Sequence, residues 1–270
     1  MPPDPFFLPM DHGRRGHRFC LFYPAIGALA GAVVYVHPWA EEMNKSRRMA
    51  ALQARALARA GYAVLQIDLL GCGDSSGDFG SATWEDWVDD IVEATHWFKE
   101  RDGVPLWLWG LRAGCLIAAQ AARKLDHPCN FLFWQGPAAG RPLLHQFLRL
   151  KVAAGLLDGS SKGVLEGLRQ QLLSGCAVDI AGYRLTSELA AAVEAATLDP
   201  PTRGGRVEWL ELSNRDDPSF AATSAVALER WREAGCGIRA QVVQGPAFWQ
   251  TSEIEEAPRL INASVEAVIS

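Results

Sequence analysis

Short apolar segments rich in Val, Leu, Tyr and Trp alternate with longer helical patterns along most of this chain. Such alternation is typical of right-handed β-α-β crossovers. It predicts an α/β fold with a mostly parallel central sheet flanked by helices, and a length of 270 residues suits one large domain of this class. The predicted strands cover residues 19–23, 32–36, 62–69, 105–109, 130–135, 207–212 and 237–243, and the predicted helices cover 46–60, 84–101, 113–125, 220–234 and 254–268.

The segment 19–39 contains no Lys, Arg, Asp or Glu and follows several arginines, so it imitates a signal peptide or a membrane anchor. A spanning helix needs about 20 apolar residues without interruption. Pro24 and glycines interrupt this run. We therefore predict two inner strands of a sheet joined by a turn at 24–27, and no membrane span.

Charge and cysteine content exclude several classes of protein. The net charge is -5, so no basic excess exists to release counterions from a nucleic acid. The six cysteines lie far apart and form no C-x-x-C pair, which argues against a zinc ribbon or a redox dithiol. We predict free thiols in a reducing compartment, and hence a cytoplasmic protein with neither a metal nor another cofactor.

The regular alternation stops between residues 136 and 203, where Leu, Ala and Gln dominate and no convincing strand intervenes. We predict that this segment is a helical lid inserted between two parts of the core, 1–135 and 204–270. The helical patterns within it cover 143–157, 163–173 and 186–196.

A sharp strand-to-helix turn is predicted at Gly110-x-Arg112-x-Gly114, where a buried strand enters a helix between two glycines. Glycine allows backbones to approach where a side chain would clash. In this turn, and in the order of its elements over nearly the whole chain, the sequence resembles the α/β-hydrolase superfamily, whose elbow motif is G-x-S-x-G. The resemblance implies an α/β-hydrolase fold with a lid. It also implies that the Trp39 and Ala113 N–H groups are the candidate oxyanion donors.

Three segments carry a more specific resemblance: HPWAEEMNKSRRM at 37–49, GLRAG at 110–114 and GPAFWQ at 245–250. Together they resemble the second-type hydrolase associated with the exosortase A system. Those bacterial proteins are encoded near protein-sorting (PEP-CTERM) and exopolysaccharide genes, beside a first-type hydrolase. The resemblance implies the same setting for this chain.

The departures from the superfamily pattern concern its catalytic residues. Arg112 stands at the nucleophile position, and a guanidinium that stays protonated cannot attack a carbonyl. The last histidine of the chain is His145, so Phe248 falls where the superfamily places its catalytic histidine. Asp216 and Asp217 suit the acid position but have no imidazole to orient. On this alignment, the usual Ser-His-Asp mechanism is excluded.

Two roles for Arg112 follow from its place at a helix N-terminus beside N–H donors. It can grip a carboxylate or phosphate of a ligand. Alternatively Glu41 or Glu42, which follow the oxyanion loop, can neutralise it in an internal ion pair, because a buried unpaired arginine costs several kcal/mol. The two roles are compatible if a ligand displaces one partner.

Other residues of the predicted pocket have weaker claims to chemistry. His37 could serve as a base for Ser76 or water, although such a histidine more often binds loop backbone. Trp39 and Trp249 could line the pocket with a flat apolar surface.

The sequence therefore favours a pseudo-hydrolase that binds a small anionic or acyl ligand or stabilises a partner. The alternative is an atypical hydrolase or acyltransferase acting on an ester or acyl substrate through His37, Glu41, Glu42, Arg112 and Asp216. The candidate partners are a first-type hydrolase, implied by the resemblance, or a second copy of the chain. The lid is the expected contact surface, because its Leu- and Ala-rich helices expose an apolar face unless something covers them.

Overall fold

The computed structural model describes residues 2–10, 16–99, 103–157, 163–215 and 218–270. Ten strands and eight α-helices are found in this part of the chain. The strands are β1 (Asp4–Pro9), β2 (His17–Tyr23), β3 (Gly31–Val36), β4 (Tyr62–Ile67), β5 (Leu106–Leu111), β6 (Asn130–Trp134), β7 (Val178–Ile180), β8 (Tyr183–Leu185), β9 (Arg206–Ser213) and β10 (Gly237–Gln244). The helices are α1 (Glu41–Arg59), α2 (Trp84–Lys99), α3 (Ala113–Ala122), α4 (Arg141–Leu157), α5 (Val164–Leu173), α6 (Ser187–Ala195), α7 (Ala222–Glu233) and α8 (Pro258–Ile269).

Eight strands form one sheet in the order β1-β2-β4-β3-β5-β6-β9-β10. The pairs from β4 through β10 are parallel, whereas β2 pairs antiparallel with β1 and β4. The prediction of a mostly parallel sheet is thus confirmed. The segments predicted as two inner strands are β2 and β3, but β4 lies between them.

The sheet separates two apolar cores, because neighbouring residues of a strand face opposite sides. Val34 and Leu108 face the side covered by α2, α3 and the segment after β6. Val33 and Trp109 face the side covered by α1 and α8. Because helices cover both faces of the sheet, both faces of the central strands are buried, and these strands are continuous apolar runs in the sequence.

Three local predictions were wrong or incomplete. Helix α1 begins at Glu41 rather than at Ser46, whose hydroxyl donates to the Glu42 carbonyl inside the helix (2.7 Å). Strand β1 was not predicted, because Pro5 and Pro9 lie within it and proline is confined to edge strands, which is where β1 lies. The short hairpin of β7 and β8 was also missed, because three-residue strands leave almost no alternation to detect.

The helices between β6 and β9 pack their apolar residues inward. Leu143, Phe147, Leu189 and Val193 are buried in the same core as the sheet. Among the described residues of α4, α5 and α6, Leu173 is the large apolar side chain left exposed, at 80%. The expected apolar face is thus largely covered by the chain itself.

No helix in the described ranges is long and apolar enough to cross a membrane. The uncharged run that imitates an anchor forms β2 and β3 instead.

Helix α3 lies so close to β3 that it has no room for a side chain at its second residue. A Cβ added to Gly114 would lie 2.0 Å from the Val36 carbonyl oxygen. We expect Gly114→Ala to destabilise the fold by about 3 kcal/mol or more, because a rigid backbone atom must move. Urea unfolding monitored by circular dichroism measures this loss.

Gly103→Ala is the matched control, since a Cβ there meets nothing within 4 Å. We expect it to change stability by at most about 0.5 kcal/mol. Equal stability of the two variants would contradict the close approach of α3.

Candidate functional site

The turn between β5 and α3 forms the elbow that the two glycines predict. Arg112 at its apex has φ 54° and ψ -119°, a backbone conformation that non-glycine residues rarely adopt. Two hydrogen bonds hold this turn: the Arg112 N–H donates to the Trp134 carbonyl (3.0 Å), and the Cys115 N–H donates to the Arg112 carbonyl (2.9 Å). A Cβ on Gly110 would lie 2.7 Å from the Cys115 backbone, so both glycines of the motif are needed.

The Arg112 guanidinium is paired inside the protein. Its Nη2 and Nε donate to Glu42 Oε1 at 3.1 and 3.3 Å, and Nη2 also donates to Gln146 Oε1 at 2.7 Å. The Arg112 side chain is 12% exposed and that of Glu42 is 5% exposed. The guanidinium thus links the elbow to α1, which carries Glu42, and to α4, which carries Gln146.

Of the two acidic residues predicted as partners, the structure selects Glu42. Burial raises the pKa of the Glu42 carboxyl, and Arg112 opposes that shift by favouring the ionised form. Glu41 is not a hydrogen-bond partner of Arg112 in the described structure, and burial raises the pKa of its carboxyl too. The Oε2 atoms of both residues are buried without a hydrogen-bond partner among the described residues.

Aromatic side chains of the loop after β10 lie near the Arg112 guanidinium. The Trp249 ring lies 5.6 Å from the Arg112 guanidinium carbon, within reach of a cation–π interaction. Phe248, predicted at the histidine position, instead packs against Trp134 with ring centroids 6.1 Å apart. Trp249 therefore lies beside the elbow, and its ring also packs on that of Phe248 with centroids 5.1 Å apart.

The candidate oxyanion residues lie next to the N-termini of two helices. Ala113 is the first residue of α3, and Trp39 precedes Ala40, the N-cap of α1. Backbone N–H groups in the first turn of a helix lack partners within the helix. The Trp39 ring is buried and packs on Phe147 of α4 with centroids 4.9 Å apart, so α4 covers this end of the site.

His37 is buried and both of its ring nitrogens are in use. The Leu69 N–H donates to Nε2 (3.2 Å), so Nδ1 carries the proton and donates to the Pro38 carbonyl (2.6 Å). Burial lowers the pKa of His37, which keeps the ring neutral. From the sequence, Ser76 is a candidate for the residue whose proton His37 would take. In the structure, the Ser76 hydroxyl accepts a hydrogen bond from the His17 N–H (3.0 Å). His37 and Ser76 thus have different hydrogen-bond partners in the described structure.

Three further features concern the predicted acid, the thiol that follows the elbow, and metal binding. Asp216 lies outside the described residues. Cys115 is fully buried, and burial raises the pKa of its thiol, so it belongs to the core. The described residues contain no group of His, Cys, Asp and Glu side chains that could hold a metal ion.

Gln146 is the site residue that sequence reasoning missed. It lies on α4, 34 residues after Arg112, within a pattern that signals only an amphipathic helix. The Gln146 amide bridges Arg112 and Glu42, because its Oε1 accepts from Arg112 and its Nε2 donates to Glu42 Oε1 (3.3 Å). Only the three-dimensional placement of α4 over the elbow reveals this role.

Sequence comparison links the chain to hydrolases. A sequence model of the family described as serine aminopeptidase, S33, matches residues 27–166. Human protein ABHD12B is 32% identical to the chain over 113 residues, which are 42% of this chain and 30% of the human protein. The chain therefore spans less than a third of the length of this curated relative.

Solved structures resemble the chain over almost its whole length. Est1E from Butyrivibrio proteoclasticus, solved with ferulic acid bound, has a TM-score of 0.62 at 15% identity and covers 94% of this chain and 95% of its own. Mouse alpha/beta hydrolase domain-containing protein 10 has a TM-score of 0.61 at 12% identity, with 98% and 97% covered. A lidless α/β serine hydrolase from Xanthomonas campestris has a TM-score of 0.57 at 15% identity, with 99% and 94% covered. These similarities confirm the α/β-hydrolase fold.

We expect Arg112→Ala to destabilise the protein by about 3–5 kcal/mol, because it leaves the buried Glu42 carboxylate without its counter-charge. Guanidinium chloride unfolding measures the loss. Arg232→Ala is the control, since Arg232 pairs with Glu229 on the surface and such pairs contribute about 0–1 kcal/mol. A loss for Arg112→Ala no larger than the control would show that the internal pair does not stabilise the fold.

The cost of Arg112→Ala should depend on pH. Without Arg112, the folded pKa of Glu42 rises further above its unfolded value of about 4.3. A carboxyl with a raised folded pKa loses stability as pH increases from that unfolded value. The difference in unfolding free energy between wild type and variant should therefore be larger at neutral pH than in mild acid. A pH-independent difference would contradict the assignment to Glu42.

Proposed function

We propose that this chain, which belongs to the serine aminopeptidase S33 family, is a pseudo-hydrolase that binds a small ligand at its elbow. The observation that carries the proposal is the Arg112 side chain at the apex, paired with Glu42 and Gln146. A family member with a guanidinium at this place has no nucleophile there for acyl transfer. The fold and its ligand-binding edge are retained without the usual chemistry.

The contacts of the described residues support the loss of hydrolysis. A Ser-His-Asp mechanism needs an imidazole that takes the nucleophile's proton. Neither ring nitrogen of His37 is free for that task, and Trp249 lies beside the elbow apex. Cys115 is the cysteine nearest to the apex in sequence. Burial raises the pKa of its thiol, which keeps the thiol protonated and therefore a poor nucleophile.

Unsatisfied polar atoms support a binding role at the same place. Glu41 Oε2, Glu42 Oε2 and Trp249 Nε1 are buried without hydrogen-bond partners among the described residues. Buried polar atoms without partners are costly, and a ligand with both donor and acceptor groups would satisfy them. An anionic or acyl carbonyl group that displaces Glu42 would gain Arg112 and the N–H groups at the start of α3.

The context of this function is also a proposal. The resemblance to exosortase-associated second-type hydrolases favours a bacterial protein of that system and a first-type hydrolase as partner. Six thiols without disulfides fit the cytoplasm. The apolar residues of the proposed lid are mostly buried within the chain, which leaves little apolar surface for a partner. We therefore favour ligand binding over partner stabilisation.

An activity-based probe tests the loss of the nucleophile. We expect no covalent labelling by a fluorophosphonate and negligible hydrolysis of short p-nitrophenyl esters, because neither Arg112 nor His37 can start acyl transfer. Intact-mass spectrometry of the treated protein measures labelling, with an active serine esterase as the positive control. A stoichiometric phosphonate adduct on any serine would overturn the proposal and favour an atypical hydrolase or acyltransferase.

Thermal melts with small carboxylates and phosphates test ligand binding. A ligand that binds the folded state raises the melting temperature by mass action. We expect stabilisation of the wild type by at least one such compound, and loss of that effect in Arg112→Ala. Equal shifts in both proteins would place the ligand elsewhere.

A further inference from the structure

A surface groove runs along α4. One part, of about 320 Å³, lies between α4, α5 and α6, and an adjoining part of about 810 Å³ continues along α4. Arg141 and His145 line both parts, and Gln146, which accepts a hydrogen bond from Arg112, lines the second. Volumes of this size fall in the range of sites for small organic ligands, about 300–1,000 Å³.

The floor of the groove is apolar. Leu144, Leu148, Leu172 and Ala190 form it, and each is buried beneath the surface. Leu173 stands on its rim with 80% of its surface exposed, the largest exposed fraction among the large apolar residues described. An apolar occupant of this trough would bury part of the Leu173 surface.

The rim is cationic in a chain whose net charge is -5. Arg141, His145 and Arg149 follow one another at intervals of four residues, so they share one face of α4. Arg169 of α5 contacts the His145 ring from across the groove. Glu194, which pairs with Arg141 at 3.4 Å, is the acidic residue among the described lining residues. Three arginines thus face one carboxylate.

His145 does not add to this charge. Burial and the neighbouring Arg169 and Arg141 lower the pKa of His145, which keeps the ring neutral and able to accept a hydrogen bond. The fixed charges of the rim therefore come from the arginines, whose guanidinium groups bind carboxylates in a two-pronged geometry.

We propose that this groove binds a single-chain anionic amphiphile, a free fatty carboxylate. Its carboxylate binds Arg141 and Arg169, and its chain covers Leu144, Leu172 and Leu173. The charge complementarity of the rim selects the anion, and the apolar floor selects a chain over a simple salt. The residues proposed to bind this ligand all line the part of about 320 Å³, which Arg112, Glu42 and Gln146 do not line, so the proposal does not depend on the function proposed for Arg112.

Titration calorimetry of this 270-residue chain with dodecanoate below its micelle concentration tests the site. We expect saturable binding of about one molecule, and no comparable binding of acetate, which lacks the chain, or of dodecyltrimethylammonium, which reverses the charge. The double variant Arg141→Gln/Arg169→Gln should weaken dodecanoate binding at least about tenfold, because it removes both charge-assisted contacts. Arg232→Gln/Arg259→Gln, which alters exposed arginines elsewhere, should leave binding unchanged.

The apolar half of the site has its own variant. Leu173→Asp should weaken binding by a similar factor, whereas Val226→Asp, at an apolar residue of α7 that is 70% exposed, should not. Absence of dodecanoate binding, unchanged binding in the Arg141/Arg169 variant, or equal binding of the cationic analogue would each overturn the proposal. So would binding to phosphatidylglycerol vesicles that depends on the same arginines without binding of monomeric dodecanoate, because the groove would then face a lipid surface.

Discussion

The close approach of α3 to β3 fixes the geometry on which the site depends. The Gly114 position leaves no space for a Cβ beside the Val36 carbonyl, and Gly110 is confined in the same way by Cys115. The chain must therefore turn within the residues between the two glycines, and Arg112 takes a positive φ. Strain of this kind costs about 1–3 kcal/mol and persists only where the surroundings determine it completely.

A guanidinium at that apex imposes a second requirement. Its charge is mostly withdrawn from water, so a counter-charge and hydrogen-bond acceptors must be supplied nearby. Glu42 supplies the charge from the first turn of α1, and Gln146 supplies an amide oxygen from α4. One side chain thereby connects the elbow, α1 and α4. A well-packed apolar pair of similar volume often stabilises as well as such a pair, so stability alone does not explain why these polar groups are present.

The limits of prediction from the sequence follow from the range of the interactions involved. Alternating apolar segments predicted the sheet and its helices, and the paired glycines predicted the elbow, because both depend on neighbours in the chain. Glu41 and Glu42 were both predicted as partners of Arg112, and the choice required the rotation of α1, which begins earlier than Ser46 suggested. Gln146 carries no local signal at all, since its role depends on where α4 lies relative to the elbow.

At the elbow, the family fold determines the path of the backbone, and the side chain of residue 112 determines the chemistry. Strands β3 and β5, the two glycines and the backbone hydrogen bonds fix the main chain at residue 112 without using its side chain. Any side chain at this position is therefore presented to the same edge of the sheet, beside the same helix N-terminus. Serine there would meet the N–H groups as a nucleophile, whereas Arg112 meets Glu42 as an ion pair. Membership in a hydrolase family accounts for the backbone of the elbow, whereas the chemistry of the site depends on the residue at its apex.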